Sequence, residues 1–241
     1  MPKRRVGRPR AQPSSVVTDP HDDLLAAAAH LFSTIGYAGA TTRDLASLAG
    51  LQQPSMFYYF RRKEDLLAEL LDRTVQPTLA YIDWLACQRG PAEVKLFELI
   101  GNDVQNICSG SYNLTALYLL PEAKAERFAE FWDKRGRLSS YYQHLIASGR
   151  RSRAFEVNDV ELATKFVFGA VESVATWFDR NSGEDPATVG LDVAEMIMRS
   201  VLRDANELDS IRAAADSLRA QPDRPDSRNY PAPIAHDTGP A

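Results

Sequence analysis

The sequence predicts an all-α protein, with short helices in an N-terminal head and longer ones in a larger body. Three observations lead there. Apolar residues recur at helical spacing through almost everything between residues 19 and 219. No alternating stretch of useful length reads as a strand, and neither a βαβ rhythm nor an internal repeat appears. The breaks between periodic segments carry helix starts and stops, as in "TTRDLASLAG".

The elements follow in order. Residues 1–18 hold three prolines and five basic residues and read as a disordered basic arm. In "DDLLAAAAHLFSTIG", Leu24, Ala28, Leu31, Phe32 and Ile35 form one helical face that ends at Gly36. A short second helix starts at Thr41, with Asp44 placed for a capping box, and stops at Gly50. "QQPSMFYYF" is the third, and a longer helix runs from about Lys63 to Ala86. Beyond it, helices are expected near 91–108, 111–120, 122–148, 158–180 and 187–219, the last divisible near Asp204–Asn206 where the pattern shifts. Residues 220–241 are proline-rich, without apolar period, and read as a disordered tail. The predicted organisation is arm 1–18, head 19–66, body 67–219 and tail 220–241.

Composition narrows the classes of function. A chain of 241 residues with 44% hydrophobic and 25% charged residues is that of an ordinary globular protein. It has no run of eighteen apolar residues to cross a membrane and no apolar segment after the basic N-terminus to serve as a secretory signal. Cys87 and Cys108 lack metal-ligand spacing and read as reduced thiols of a cytoplasmic protein. The four histidines are scattered, and no catalytic triad, phosphate loop or metal spacing is legible. The expectation is a protein that is not an enzyme and needs no metal or cofactor. Charge is divided unevenly: residues 1–63 carry nine basic and four acidic residues, a net of +5, which leaves −9 for the rest of a chain with net charge −4. A basic end on an acidic body points to a polyanionic partner.

That end holds a helix-turn-helix. Two short helices joined by Ala49–Gly50–Leu51, the second opening at Gln52–Gln53–Pro54, have the spacing of the motif. Met56 and Phe60 are four residues apart and turn inward, toward Leu45, Leu48 and the first helix. Gln53, Ser55, Phe57, Tyr58 and Tyr59 are left on other faces. Taken singly, the aromatics suit burial and Arg61–Arg62–Lys63 suits a solvated charge run. Their order, from capped helix and glycine turn to polar start, aromatic end and basic cluster, points to DNA.

With Phe32–Gly36–Tyr37 and "TTRDLASLAGLQQPSMFYYFRRKEDLL", residues 24–70 resemble the tetracycline-repressor (TetR) family of transcriptional regulators. The resemblance implies a DNA-binding head, a helical ligand-binding and dimerisation body, and double-stranded operator DNA as partner. It places Thr41 and Thr42 at a phosphate by the start of the second helix. Arg43 then faces a guanine edge, and Gln52, Gln53, Pro54 and Ser55 form the base-reading turn. Phe57, Tyr58 and Tyr59 end the recognition helix, with Tyr59 and Lys63 at phosphate-contacting positions. Phe57 stands where the family usually has tyrosine, which removes one phosphate hydrogen bond. The arm "KRRVGRPR" suits phosphate contact better than minor-groove insertion, because Val6 stands where an arginine would precede the glycine.

In the body, Trp84, Asn106, Tyr112, Asn113, Tyr118, Phe128, Trp132, Tyr142 and Phe166 are the candidate walls and anchors of an effector pocket, with Asn102 a further anchor. Most of its aromatics suit core packing equally well. Phe166, Gly169, Ala170, Ser173 and Trp177 share one helical side, as do Val193, Met196 and Ile197 on the next helix. The resemblance makes these two helices the interface of a homodimer, although part of each stripe must face its own core. The whole implies a regulator, a repressor in the first instance, that binds a pseudo-palindromic operator and is released by a small, rather hydrophobic effector. A DNA-binding regulator without any effector is the alternative. A hinge is expected in the helix after Lys63, near Pro77.

Overall fold

The computed structural model describes residues 19–109 and 114–225. Among them are ten α-helices and four 3₁₀ turns, with one isolated antiparallel bridge between Phe155 and Leu202 and no strand. The basic arm, the end of the tail, and Tyr112 and Asn113 lie outside the described residues.

α1 (Pro20–Thr34) opens on the Asp19 side chain, which accepts from the His21 N–H at 3.0 Å, and buries Leu24, Leu25, Ala28 and Phe32. A single turn, α2 (Gly36–Gly39), follows, entered through Gly36 at φ +80°. α3 (Thr42–Leu48) has the expected capping box between Thr41 and Asp44. It stops at Gly50, whose φ of +68° lets the Leu51 N–H reach back to the Ala46 carbonyl at 2.8 Å. α4 (Gln53–Tyr59) carries Pro54 in its first turn, where the missing N–H has no partner to lose. α5 (Lys63–Cys87) runs unbroken past the buried Pro77.

The body continues with α6 (Ala92–Ser109), α7 (Ala129–Ser152), α8 (Val160–Trp177), α9 (Pro186–Val201) and α10 (Leu208–Arg219). Two expectations are corrected, and the division of the last helical span is met. The helix predicted at 111–120 is a 3₁₀ turn over its described part, Leu114–Leu119. The helix predicted from 122 begins only at Ala129, after short turns at Pro121–Lys124 and Glu126–Phe128. Ala125, between the two turns, is extended at φ −65° and ψ 148°, so helix cannot run through it. The span 187–219 is two helices, parted where Leu202 is extended and where the Asp204 side chain accepts from the Asn206 N–H. The bridge sits at that break, with the Arg203 N–H donating to the Ala154 carbonyl at 2.9 Å.

The tail, too, is ordered further than predicted. Arg224 donates to the Asn102 side-chain oxygen at 3.4 Å and lies 5.4 Å over the Tyr81 ring. A single apolar core runs from α1 to α10 by way of α5. α6 is its axle, packed on α5, α7, α8, α9 and α10, and most extensively on α9. Gly101 and Gly190 meet there backbone to backbone.

Candidate functional site

Two places on this scaffold concentrate functional side chains: the outer face of α3 and α4, and the middle of the body. The head divides its aromatic run as helical spacing requires. Met56 is 0% and Phe60 5% exposed, both within the apolar core, while Tyr58 is 86% exposed and Phe57 and Tyr59 also reach solvent. The Tyr58 and Tyr59 rings meet edge to face at 5.2 Å. Phe60 additionally stacks on His21 at 4.7 Å, which ties α1 to the end of α4.

Around those tyrosines, Arg43, Gln52, Pro54, Ser55, Arg61 and Arg62 are exposed. Arg43, Arg61 and Arg62 take part in no salt bridge among the described residues, so their charge is available to an outside anion. Four candidates are also engaged within the head. The Thr41 hydroxyl donates to the Asp44 carboxylate at 2.6 Å and accepts from the Asp44 N–H, so it works first as a cap. Gln53 Nε2 donates to Thr42 Oγ1 at 2.8 Å and braces α4 on α3. Lys63 Nζ donates to the Tyr37 and Ala40 carbonyls at 2.6 and 2.9 Å and lies 4.2 Å over the Tyr37 ring. Two of its three N–H groups therefore close the end of α2, and one remains for any external partner.

In the body, a cavity of about 30 Å³ lies between α5, α6, α7, α8 and the Leu114–Leu119 turn. Asp103, Tyr118, Phe131, Arg135, Phe168 and Glu172 are among its walls. Arg135 donates to both carboxylate oxygens of Glu172 at 2.5 Å. Its guanidinium sits 4.8 Å from the Tyr118 ring centroid, 5.0 Å from Phe168 and 5.6 Å from Trp132. Beside it, buried Asp103 accepts from Thr78 Oγ1 at 2.8 Å and from the Tyr142 hydroxyl at 3.0 Å. Burial raises the Asp103 carboxyl to about 6 despite those two donors. The same desolvation holds Tyr142 well above an ordinary phenol and pushes Tyr118 up to about 12.

Of the predicted pocket residues, Tyr118 lines this cavity, Trp132 flanks Arg135, and Tyr142 meets it through Asp103. The other described ones lie elsewhere. Phe128 lines a groove between α5 and the start of α7. Trp84 packs on Tyr81, and Asn106 is buried with its side-chain amide unpaired. Phe166 points outward, 56% exposed. Asp103, Thr78, Arg135 and Glu172 escaped the sequence reading. Their trace was there: Asp103 interrupts the apolar stripe of Leu96, Ile100 and Ile107, and Arg135 stands on the face of Leu138 and Tyr142.

The predicted contact stripe on α8 is largely on the surface. Phe166, Gly169, Ser173 and Trp177 are exposed, Leu162 extends the row, and Ala170 is half-buried at its edge. On α9, Met196 is exposed and Val193 half-buried, but Ile197 is only 5% exposed. Ile197 belongs to its own subunit's core, because it lies on the side of α9 that packs on α6, one residue round from Met196.

Known proteins carry the same pattern. The family model "Bacterial regulatory proteins, tetR family" matches residues 24–70, and "Tetracyclin repressor-like, C-terminal domain" matches residues 90–201. The crystal structure of AmtR from Mycobacterium smegmatis superposes with a TM-score of 0.71 at 32% identity, covering 88% of this chain and all of that one. The HTH-type regulator YdgC of Bacillus subtilis is 24% identical over 190 residues, 77% of this chain and 94% of YdgC. AibR, solved in complex with isovaleryl coenzyme A and operator DNA, shares the fold at 14% identity, with a TM-score of 0.62 over 74% of this chain and 97% of AibR. The chain is a member of the tetR family of bacterial transcriptional regulators, with the family's helix-turn-helix segment and helical body both present.

Proposed function

We propose that this chain is a repressor that binds a pseudo-palindromic operator as a homodimer through α3 and α4, and that a small effector entering the body releases it. The observation that carries the DNA reading is the outer face of α3–α4. Exposed Tyr58, Tyr59 and the unpaired Arg43, Arg61 and Arg62 stand over bolts that are fully buried. Such a face offers cations to phosphate and polar edges to bases from one rigid support. Thr41, Thr42, Gln52, Gln53, Pro54, Ser55, Phe57 and Lys63 complete the proposed contact set. Residues 19–66 form the DNA-binding unit in this reading and 67–219 the responsive one. The proteins it resembles are regulators, which supports a chain that is not an enzyme.

The dimer is supported by the apolar row of Leu162, Phe166 and Trp177 beside Met196, four large side chains that a monomer leaves in water. A two-fold contact there buries each row against its copy and sets the two heads apart for two half-sites. AibR, on the same fold, holds isovaleryl coenzyme A and operator DNA in one complex, which supports a small-molecule site in the body.

In this reading the effector occupies the space now held by the Arg135–Glu172 pair. Half of the named walls are ionic, so the effector combines an apolar body with a polar group that one of these charges receives. The cavity is too small for such a molecule until the pair separates and α5 and α7 move apart. Movement of α5 reaches the head directly, because Lys63 at its start is bonded to α2. For release, the effector must favour the open state by a few kcal/mol, of order 1–3 in typical coupled systems.

The same small cavity favours a second reading, a DNA-binding regulator with no small-molecule effector. A gel shift on operator DNA, repeated across a compound library, separates the two. Release by at least one compound, abolished in Arg135→Ala, supports the first. Specific DNA binding that no compound alters supports the second.

A further inference from the structure

A second cavity, of about 160 Å³, lies between α6, α9 and α10, away from the Arg135–Glu172 pair. Glu98, Gly101 and Asn102 of α6, Leu191 of α9, Arg219 of α10 and Arg224 after it are among its walls. Glu98 and Asn102 are 2% and 3% exposed, so each of their polar atoms needs a partner inside the protein.

The acceptors have theirs. One Glu98 carboxylate oxygen receives Arg219 Nε at 2.5 Å, and the other receives the Tyr81 hydroxyl at 2.8 Å. The Asn102 oxygen receives Arg224 Nη2, at a long 3.4 Å. Donors are left over: Asn102 Nδ2 and Arg224 Nε are buried and have no acceptor among the described residues. Charge is unbalanced in the same sense. Two guanidinium groups face one buried carboxylate, and the other acid touching them, Asp216, lies in solvent at the outer edge of Arg219. Tyr81 and Asn102 meanwhile hold Arg224 over the cavity.

A buried site with spare N–H donors and one excess positive charge is completed by an acceptor that carries one negative charge. We propose that this cavity binds a small monocarboxylate, its oxygens accepting from Asn102 Nδ2 and Arg224 Nε. The planar fork of a guanidinium matches a carboxylate's geometry, and a single negative charge balances the buried set. A phosphate dianion would leave an excess negative charge beside Glu98. The site shares no lining residue with the cavity around Arg135, so it stands whether or not that cavity takes an effector.

Calorimetric titration of the full chain tests the proposal, with acetate, propionate and butyrate as probes, acetamide as the uncharged control and inorganic phosphate as the competing anion. At least one carboxylate should bind saturably, acetamide should not, and phosphate should bind more weakly. Arg224→Gln should weaken carboxylate binding about tenfold or more, the usual consequence of losing a hydrogen bond to a charged group. Asn102→Leu should weaken it separately, and Arg224→Lys should retain part of it. Circular dichroism of each variant confirms that it is folded, and Arg224 sits near the end of the described chain, where substitution spares the core. The proposal is overturned if no carboxylate binds, which would mean that water fills the cavity. It is equally overturned if phosphate binds more tightly, or if both Arg224→Gln and Asn102→Leu bind like the parent.

Discussion

Lys63 shows how one side chain serves fold and function together. The proposed contact set makes it a phosphate binder, and its ammonium already closes α2 through two carbonyls and the Tyr37 ring. Lys63→Met keeps the stem and removes the donors, leaving two carbonyls without their partner. The head should lose about 1–3 kcal/mol, read as a lower urea midpoint, in addition to weaker DNA binding. A variant that binds DNA poorly at unchanged stability would assign Lys63 to phosphate alone. Asp103 makes a different prediction. Its folded pKa, raised to about 6, exceeds the unfolded value near 3.8. The protonated form is thus favoured on folding. That contribution is complete below about pH 4 and is lost as pH rises through 6. Asp103→Asn cannot ionise, so its stability relative to the parent should improve by up to about 3 kcal/mol between pH 4 and pH 7.5. Urea midpoints of both proteins across that range would reveal it, and a constant difference would refute the assignment.

Elements were legible where local chemistry fixed them. The capping box at Thr41, the left-handed stop at Gly50 and the inward turn of Met56 and Phe60 all depend on neighbours within a few residues. So does the break near Asp204, which competes with helix through its own side chain. The start of α7 was misplaced because Ala125 is extended between two short turns, and apolar periodicity does not register that break. The central cavity was hidden for another reason. Arg135 and Glu172 are 37 residues apart, and only tertiary packing makes a buried pair of them. Ile197 and Met196 are adjacent on a stripe, and which of them faces out depends on how α9 seats on α6. That seating depends on glycine. A Cβ at Gly190 would lie 2.5 Å from the Gly101 carbonyl oxygen, a backbone atom that cannot swing aside. Gly190→Ala should push α9 off α6 and cost about 1–3 kcal/mol, or more if the helices cannot separate. Gly136→Ala, with open space around it, is the matched control and should leave the thermal midpoint close to the parent's.

At the scale of the molecule, the head and the acidic body share one continuous core, so a change at the Arg135–Glu172 pair has a packed route to α4 through α5, α1 and α3. The apolar row on α8 is the feature that a lone subunit does not explain. Phe166→Asp with Trp177→Asp places like charges across the proposed two-fold contact while touching no buried side chain. Sedimentation should show a dimer for the parent and a monomer for the double variant, with circular dichroism unchanged. A parent that sediments as a monomer at micromolar concentration would remove the dimer from the account.

The central claim is that two copies of this head read one operator. Selection of the purified protein against a random duplex pool, followed by footprinting of the enriched sequence, tests it most directly. The account predicts an inverted repeat whose half-site centres lie about one helical turn apart, or a multiple of it. It also predicts that Arg43→Ala loses discrimination at one base pair of each half-site, a cost of about 1–3 kcal/mol. Enrichment of no sequence, or of a single asymmetric site bound by one subunit, would contradict it.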